Sequence, residues 1–71
     1  MNVLIIEDEQ PAAKRLHKML KEIEPDINVL DSIVSVSTAI KWFAENKTPE
    51  LIFSDIQLSD GLSFEIFKSV N

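Results

Sequence analysis

Val3-Leu4-Ile5-Ile6-Glu7-Asp8-Glu9 and Leu51-Ile52-Phe53-Ser54-Asp55 are the two stretches that decide the fold. Each is a short apolar run without polar alternation that stops abruptly in acid. Continuous runs of β-branched residues and leucine mark strands buried on both faces, as parallel strands are. In a parallel sheet, strands deliver their last residues to one common edge, the carboxyl edge, where ligands bind. Glu7, Asp8 and Asp55 are therefore expected to converge on a single acidic pocket.

The pattern extends outward from these strands. Pro11 fits the first turn of a helix, where its missing N–H costs nothing. Ala12, Leu16, Met19, Leu20 and Ile23 recur at helical spacing as one apolar stripe, and Pro25 stops that helix. Ile27 to Ile33 reads as a second strand with Ile27, Val29, Asp31 and Ile33 on one side. Asp31 breaks the apolar pattern, which places this strand at an edge or leaves its end in water. Ser35 or Ser37 can cap a second helix whose stripe is Val36, Ala39, Ile40 and Phe43, with Trp42 to one side. Lys47-Thr48-Pro49 is a loop. After Leu51–Ser54, the residues Ser59-Asp60-Gly61 carry turn chemistry, and Gly61 is the residue best able to take a positive φ. Ser63 can cap a third helix with Ile66, Phe67 and Val70 on its apolar side. Strands beginning near residues 2, 27 and 51 give a β-α unit of about 25 residues, the rhythm of βαβ folds.

Composition narrows the function. With 45% hydrophobic and 27% charged residues, the 71-residue chain is globular rather than disordered. A domain this short buries only roughly 60% of its unfolded surface and has little stability to spare. It has no cysteine, which excludes disulfides and thiolate metal sites and fits a reducing compartment. No leader-like apolar region or membrane-length run is present, so a cytoplasmic location is expected. The net charge of −5 argues against nucleic-acid binding by these residues. The bases Lys14, Arg15, Lys18 and Lys21 read as the solvated face of the first helix.

The acids carry the chemistry. Like charges held together repel, which raises carboxylate pKa values unless a cation lies between them. An all-oxygen donor set suits Mg²⁺. A plainer reading makes Asp8 or Glu9 an anion at the start of the Pro11 helix. Capping alone does not explain why two separate strands both end in acid. His17 reads as a solvated helix residue, Trp42 as partial core or contact surface, Asp60 as a turn residue rather than a ligand, and Ser54 as pointing into helix packing.

Leu4-Ile5-Ile6-Glu7-Asp8-Glu9 and Leu51-Ile52-Phe53-Ser54-Asp55-Ile56-Gln57-Leu58-Ser59-Asp60-Gly61, with the spacing between them, closely resemble the response-regulator receiver domain of two-component signalling. The run from Asp55 to Phe67 is similar to receivers that precede a LytTR-type DNA-binding domain. The resemblance implies a flavodoxin-like, doubly wound α/β fold with strand order 2-1-3-4-5. Residues 1–71 would be its N-terminal part, the first three βα units out of roughly 120 residues. The fourth and fifth strands would lie beyond them, with the switch Ser or Thr, the switch Lys and any output domain. Where many receivers have a proline four residues after the phosphoacceptor, this chain has Ser59, and Gly61 comes two residues earlier than the usual glycine.

By that resemblance Asp55 is the phosphoacceptor, taking a phosphoryl group from a histidine of a sensor kinase. Asp8 and Asp55 would ligate Mg²⁺, with Glu7 acting directly or through water and Gln57 contributing its backbone carbonyl. The chain would then be a signalling phosphoprotein in transcription regulation rather than an enzyme, reaching DNA only through an output domain. A haloacid-dehalogenase-type phosphatase would need a second Asp where Gln57 stands, and a single glycine rules out P-loop and dinucleotide sites. The competing expectation is a module that associates without phosphorylation. With no fourth strand, Leu51-Ile52-Phe53 would form an unpaired apolar edge that favours a homodimer or a strand swap.

Overall fold

Four consecutive residues, Val3 to Ile6, have no exposed surface, and the structure is arranged around them. The computed structural model describes residues 1–68. Val3 to Ile6 belong to β1 (Asn2–Ile6), which is followed by α1 (Gln10–Ile23), β2 (Asn28–Ile33), α2 (Val36–Glu45) and β3 (Leu51–Ser54). Next come two strands of two residues each, β4 (Gln57–Leu58) and β5 (Gly61–Leu62), and then α3 (Phe64–Lys68). β1 is the centre of a three-stranded sheet of order β2-β1-β3, parallel on both sides. The chain is thus an α/β structure with a parallel sheet. Val70, expected on the stripe of the third helix, lies outside the described residues.

Alternation along β1 divides the apolar residues between two faces. Leu4 and Ile6 join Ile33, Val36, Ala39, Leu58 and Ile66 in the core beneath α2 and α3. Val3 and Ile5 point the other way, where α1 contributes Ala13, its only fully buried residue. The register gives Leu51 and Phe53 to the α1 face, as partners of Val3 and Ile5, and gives Ile52 to the α2 face, as partner of Leu4.

Three expectations are corrected. Met19 and Ile23 belong to the α1 stripe by spacing, yet Ile23 is 77% exposed and Met19 is exposed too. One helix covers a three-stranded face only along Ala12, Ala13, Leu16 and Leu20. The β2 residues do not all share one side, because the ladder slips at Leu30: Val29 pairs with Val3, but Asp31 pairs with Leu4. This bulge sends Val29 to the α1 face and Asp31 and Ile33 to the α2 face. Asp31 is exposed and β2 is an edge, as its interrupted pattern implied. Finally, β4 and β5 form a short antiparallel hairpin in a stretch expected to be only a turn.

That hairpin is tied to the start of α2. Ser35 is the cap, and its Oγ accepts from Thr38 N–H at 3.2 Å. The carboxylate of Asp60, in the hairpin turn, accepts from Val36 N–H at 2.8 Å and Ser37 N–H at 3.1 Å. Three of the four donors that a helix leaves unpaired at its start are thereby satisfied. Gly61 follows with φ +147°, and a Cβ there would lie 3.7 Å from Val36 Cγ2. Backbone conformation, rather than space, is therefore what requires glycine.

Two predictions follow from this packing. Ile66→Ala, at a site with no exposure, is expected to cost about 2–5 kcal/mol in urea unfolding, while Ile23→Gln changes stability by less than about 0.5 kcal/mol. The amides of Val36 and then Ser37 hold the Asp60 carboxyl below its ordinary value of 3.8. A carboxyl lowered in the folded state adds stability above its unfolded pKa and loses it as pH falls through the folded value. Asp60→Ala should therefore lower the urea midpoint at neutral pH, and the gap from the unsubstituted chain should close as the pH drops below about 4.

Candidate metal centre

The carboxyl ends of β1 and β3 lie side by side because Ile6 pairs with Ser54. Two further hydrogen bonds extend the ladder into the acids: Asp55 N–H donates to Ile6 O at 2.9 Å, and Glu7 N–H donates to Ile33 O at 2.8 Å. The backbone of Asp55 is thus held by β1 and that of Glu7 by β2. Glu7, Asp8 and Asp55 each present one carboxylate oxygen, and these oxygens lie within 4.8 Å of one another. Among the described residues this is the acidic group with metal-site spacing. The convergence expected from the two strand ends is what the fold produces.

The helix-capping alternative for these acids finds little support in the geometry. Glu9 occupies the cap position of α1 but makes no side-chain cap hydrogen bond. Glu7 Oε2 instead accepts from Glu9 N–H at 3.3 Å, and Asp55 Oδ1 accepts from Ile56 N–H at 2.8 Å. Partial burial is the main cause that pushes the Glu7 carboxyl above 4.5; the Glu9 hydrogen bond opposes the rise, and Asp8 and Asp55 add to it. Charge crowding is therefore only partly relieved by the protein itself.

The donor set fits a hard cation, since three carboxylates supply oxygen without nitrogen or sulfur. Octahedral Mg²⁺ with ligands at about 2.1 Å places neighbouring ligand oxygens about 3 Å apart. From 4.8 Å or less the trio has to draw in by no more than about 2 Å, within the reach of side-chain rotation. Gln57 opens β4 two residues beyond Asp55, exposed and paired with Leu62. A cleft of about 260 Å³ lined by Ile6, Glu7, Leu16, Phe53, Ser54 and Asp55 runs from the acids onto the α1 face.

The other singled-out residues fall elsewhere. Ser54 is exposed and its Oγ donates to Asp55 O at 3.0 Å, so it does not pack beneath a helix. The strand runs out of helix cover one residue before the acid. Asp60 is a turn residue outside the trio, as expected, but its grip on α2 was not foreseen. Its acceptor role comes from 24 positions away in sequence, which no local capping pattern signals. His17 is exposed on α1. Trp42 is half-buried against the core, edge-on to Phe43 at 5.2 Å, and lines a cleft with Asn2, Leu30 and Lys47 away from the acids. No described helix is long and apolar enough to cross a membrane.

No family model and no solved structure matches the sequence. Over 66 residues, 93% of the chain, it is 36% identical to the sensory transduction protein LytT of Bacillus anthracis. The aligned part makes up 26% of that protein, so the chain spans about a quarter of the length of this curated relative. Along nearly its whole length, and with its acids gathered at one sheet edge, the chain is related in sequence to a protein of sensory transduction.

Proposed function

We propose that residues 1–71 are the N-terminal part of a response-regulator receiver and that Asp55 is its phosphoacceptor. One observation carries this reading: carboxylates from two different strand ends meet within 4.8 Å at the carboxyl edge of a parallel sheet. Similarity to a sensory transduction protein along the chain points the same way. A sensor kinase phosphohistidine is the natural donor. The phosphorus–nitrogen bond breaks, an Asp55 carboxylate oxygen forms the new bond to phosphorus, and the imidazole leaves.

Asp8, Asp55, Glu7 and the Gln57 carbonyl would hold Mg²⁺, which supplies neutralisation of the charge that builds on the phosphoryl oxygens. The residues of the chain do the positioning. The bond from Asp55 N–H to Ile6 O fixes the nucleophile's backbone, and the bond from Ile56 N–H to Oδ1 orients its carboxylate. Glu7 and Asp8 present negative charge that, without a cation, would repel an incoming phosphate. Transcriptional output through a LytTR-type DNA-binding domain and a cytoplasmic location belong to the same proposal.

The second reading, association without phosphorylation, is favoured by β3. Among the described residues its outer edge pairs with no strand, and Leu51 is 42% exposed. A chain acting this way would be a dimer through that edge.

Two measurements test these readings. Incubation with Mg²⁺ and a small acyl phosphate, followed by intact mass, is expected to give one phosphoryl adduct that Asp55→Asn abolishes. An adduct that survives in Asp55→Asn would sink the assignment. Light scattering is expected to give a dimer that Leu51→Lys weakens if the edge associates, and a monomer at all concentrations removes the second reading.

A further inference from the structure

The geometry points to Asp60 as the positioning residue of the acidic site: it fastens the loop that carries Asp55 to the N-terminus of α2. For metal affinity this rests on the reading of Asp55, Asp8 and Glu7 as a cation site. The fastening itself stands on hydrogen bonds alone.

The loop after β3 turns back on itself within a few residues. Ile56 O accepts from Ser63 N–H at 2.8 Å, Gln57 pairs with Leu62, and Leu58 pairs with Gly61. The hairpin therefore moves as one piece, with Asp55 and Gln57 at its base and Asp60 at its tip. Its base is held where Asp55 N–H donates to Ile6 O, and beyond the base it is secured at two points. Leu58 is buried in the α2–α3 core, which sets the depth of the hairpin. Apolar burial is non-directional and leaves rotation about that anchor open. Asp60 removes it, because both carboxylate oxygens are used, Oδ1 on Val36 N–H and Oδ2 on Ser37 N–H. Two charge-assisted bonds to successive amides define an orientation as well as a distance.

The anchor point is itself bound to the other half of the acid site. Ile33 O, just before α2, accepts from Glu7 N–H at 2.8 Å. The short segment from Ile33 to Ser37 thus holds the loop of Glu7 and Asp8 at one end and the loop of Asp55 at the other. Ser35 is not part of this bridge. Its hydroxyl accepts from Thr38 N–H within the same helix start, so the cap supplied from inside the helix and the cap that also fastens the loop are carried by different residues. That separation allows a test.

Amide exchange and Mg²⁺ calorimetry on the full 71-residue chain compare Asp60→Ala, Asp60→Asn and Ser35→Ala. Asp60→Ala is expected to release the amides of Val36 and Ser37 together with those of Ile56 and Ser63, and to weaken Mg²⁺ binding about tenfold, the size typical of lost outer-sphere support. Asp60→Asn, which keeps an acceptor, should recover part of both. Ser35→Ala should release Thr38 while leaving Ile56, Ser63 and Mg²⁺ affinity as they were. If Asp60→Ala and Ser35→Ala behave alike at Ile56 and Ser63, Asp60 is a helix cap only and the assignment is overturned. The same holds if a folded Asp60→Ala binds Mg²⁺ as the unsubstituted chain does. Absence of Mg²⁺ binding in the unsubstituted chain would sink the cation reading instead, and exchange at Ile56 and Ser63 then decides the fastening by itself.

Discussion

The structure depends on β1 being hydrogen-bonded on both sides and covered on both faces. Val3 to Ile6 are inaccessible to solvent, with α1 on one face and α2 and α3 on the other. A strand in that position cannot continue once its residues become charged, since an unpaired buried carboxylate costs more than this small core supplies. Glu7 is therefore where the strand must leave the interior. β3 is only half-buried, but its apolar run pairs with β1 up to Ser54 and likewise ends in acid at Asp55. The meeting of the acids follows from the point at which two neighbouring parallel strands run out of apolar sequence.

Such convergence works against folding before it serves chemistry. Glu7 is partly buried beside Asp8 and Asp55, and its carboxyl is raised. A raised carboxyl favours the folded state only at acid pH and opposes it as the pH rises through its folded value. Near neutrality the site is a local strain on a domain of little reserve. The fold tolerates it because the backbones beneath are tied by the extended ladder, Asp55 N–H to Ile6 O and Glu7 N–H to Ile33 O. Charge is held in place by backbone bonds that do not depend on protonation, the arrangement expected where a cation is to offset it.

The sequence made the central architecture and the acid trio readable for one reason. A strand buried on both faces has no freedom to alternate, so Val3–Ile6 could be read without knowing its partners, and Leu51–Phe53 showed the same unbroken apolar run although it is only half-buried at an edge. Helix starts at Pro11 and Ser35 were also local signals. The missed features are those in which a distant partner decides. Whether Met19 and Ile23 of α1 are buried depends on how much of the sheet one helix can cover, not on their spacing. The slip at Leu30 is a property of pairing with β1. The Leu58–Gly61 pairing left a faint trace in Asp60-Gly61, a familiar hairpin dipeptide, but the contact of Asp60 with α2 left none.

The two edges of the sheet are not equivalent, and the difference bears on the acid site. β2 carries a bulge at Leu30 and an exposed charge at Asp31, both of which discourage a further strand from adding. β3 has neither: Leu51, Ile52, Phe53 and Ser54 are uncharged and pair in unbroken register with β1. Strand addition is thus directed to the β3 side, beside the cleft that leads to Asp55. A parallel strand added there would bring its carboxyl end next to Asp55, in the direction in which β1 and β3 already deliver theirs. An antiparallel strand, such as a second β3, would bring its amino end, where Pro49 and Glu50 precede Leu51. Only the first arrangement sets a fresh loop over the acids; the second sets a further negative charge near them. Electrostatics at Asp55 therefore depends on the direction of whichever strand covers β3, and association and site chemistry in this fold are one problem rather than two.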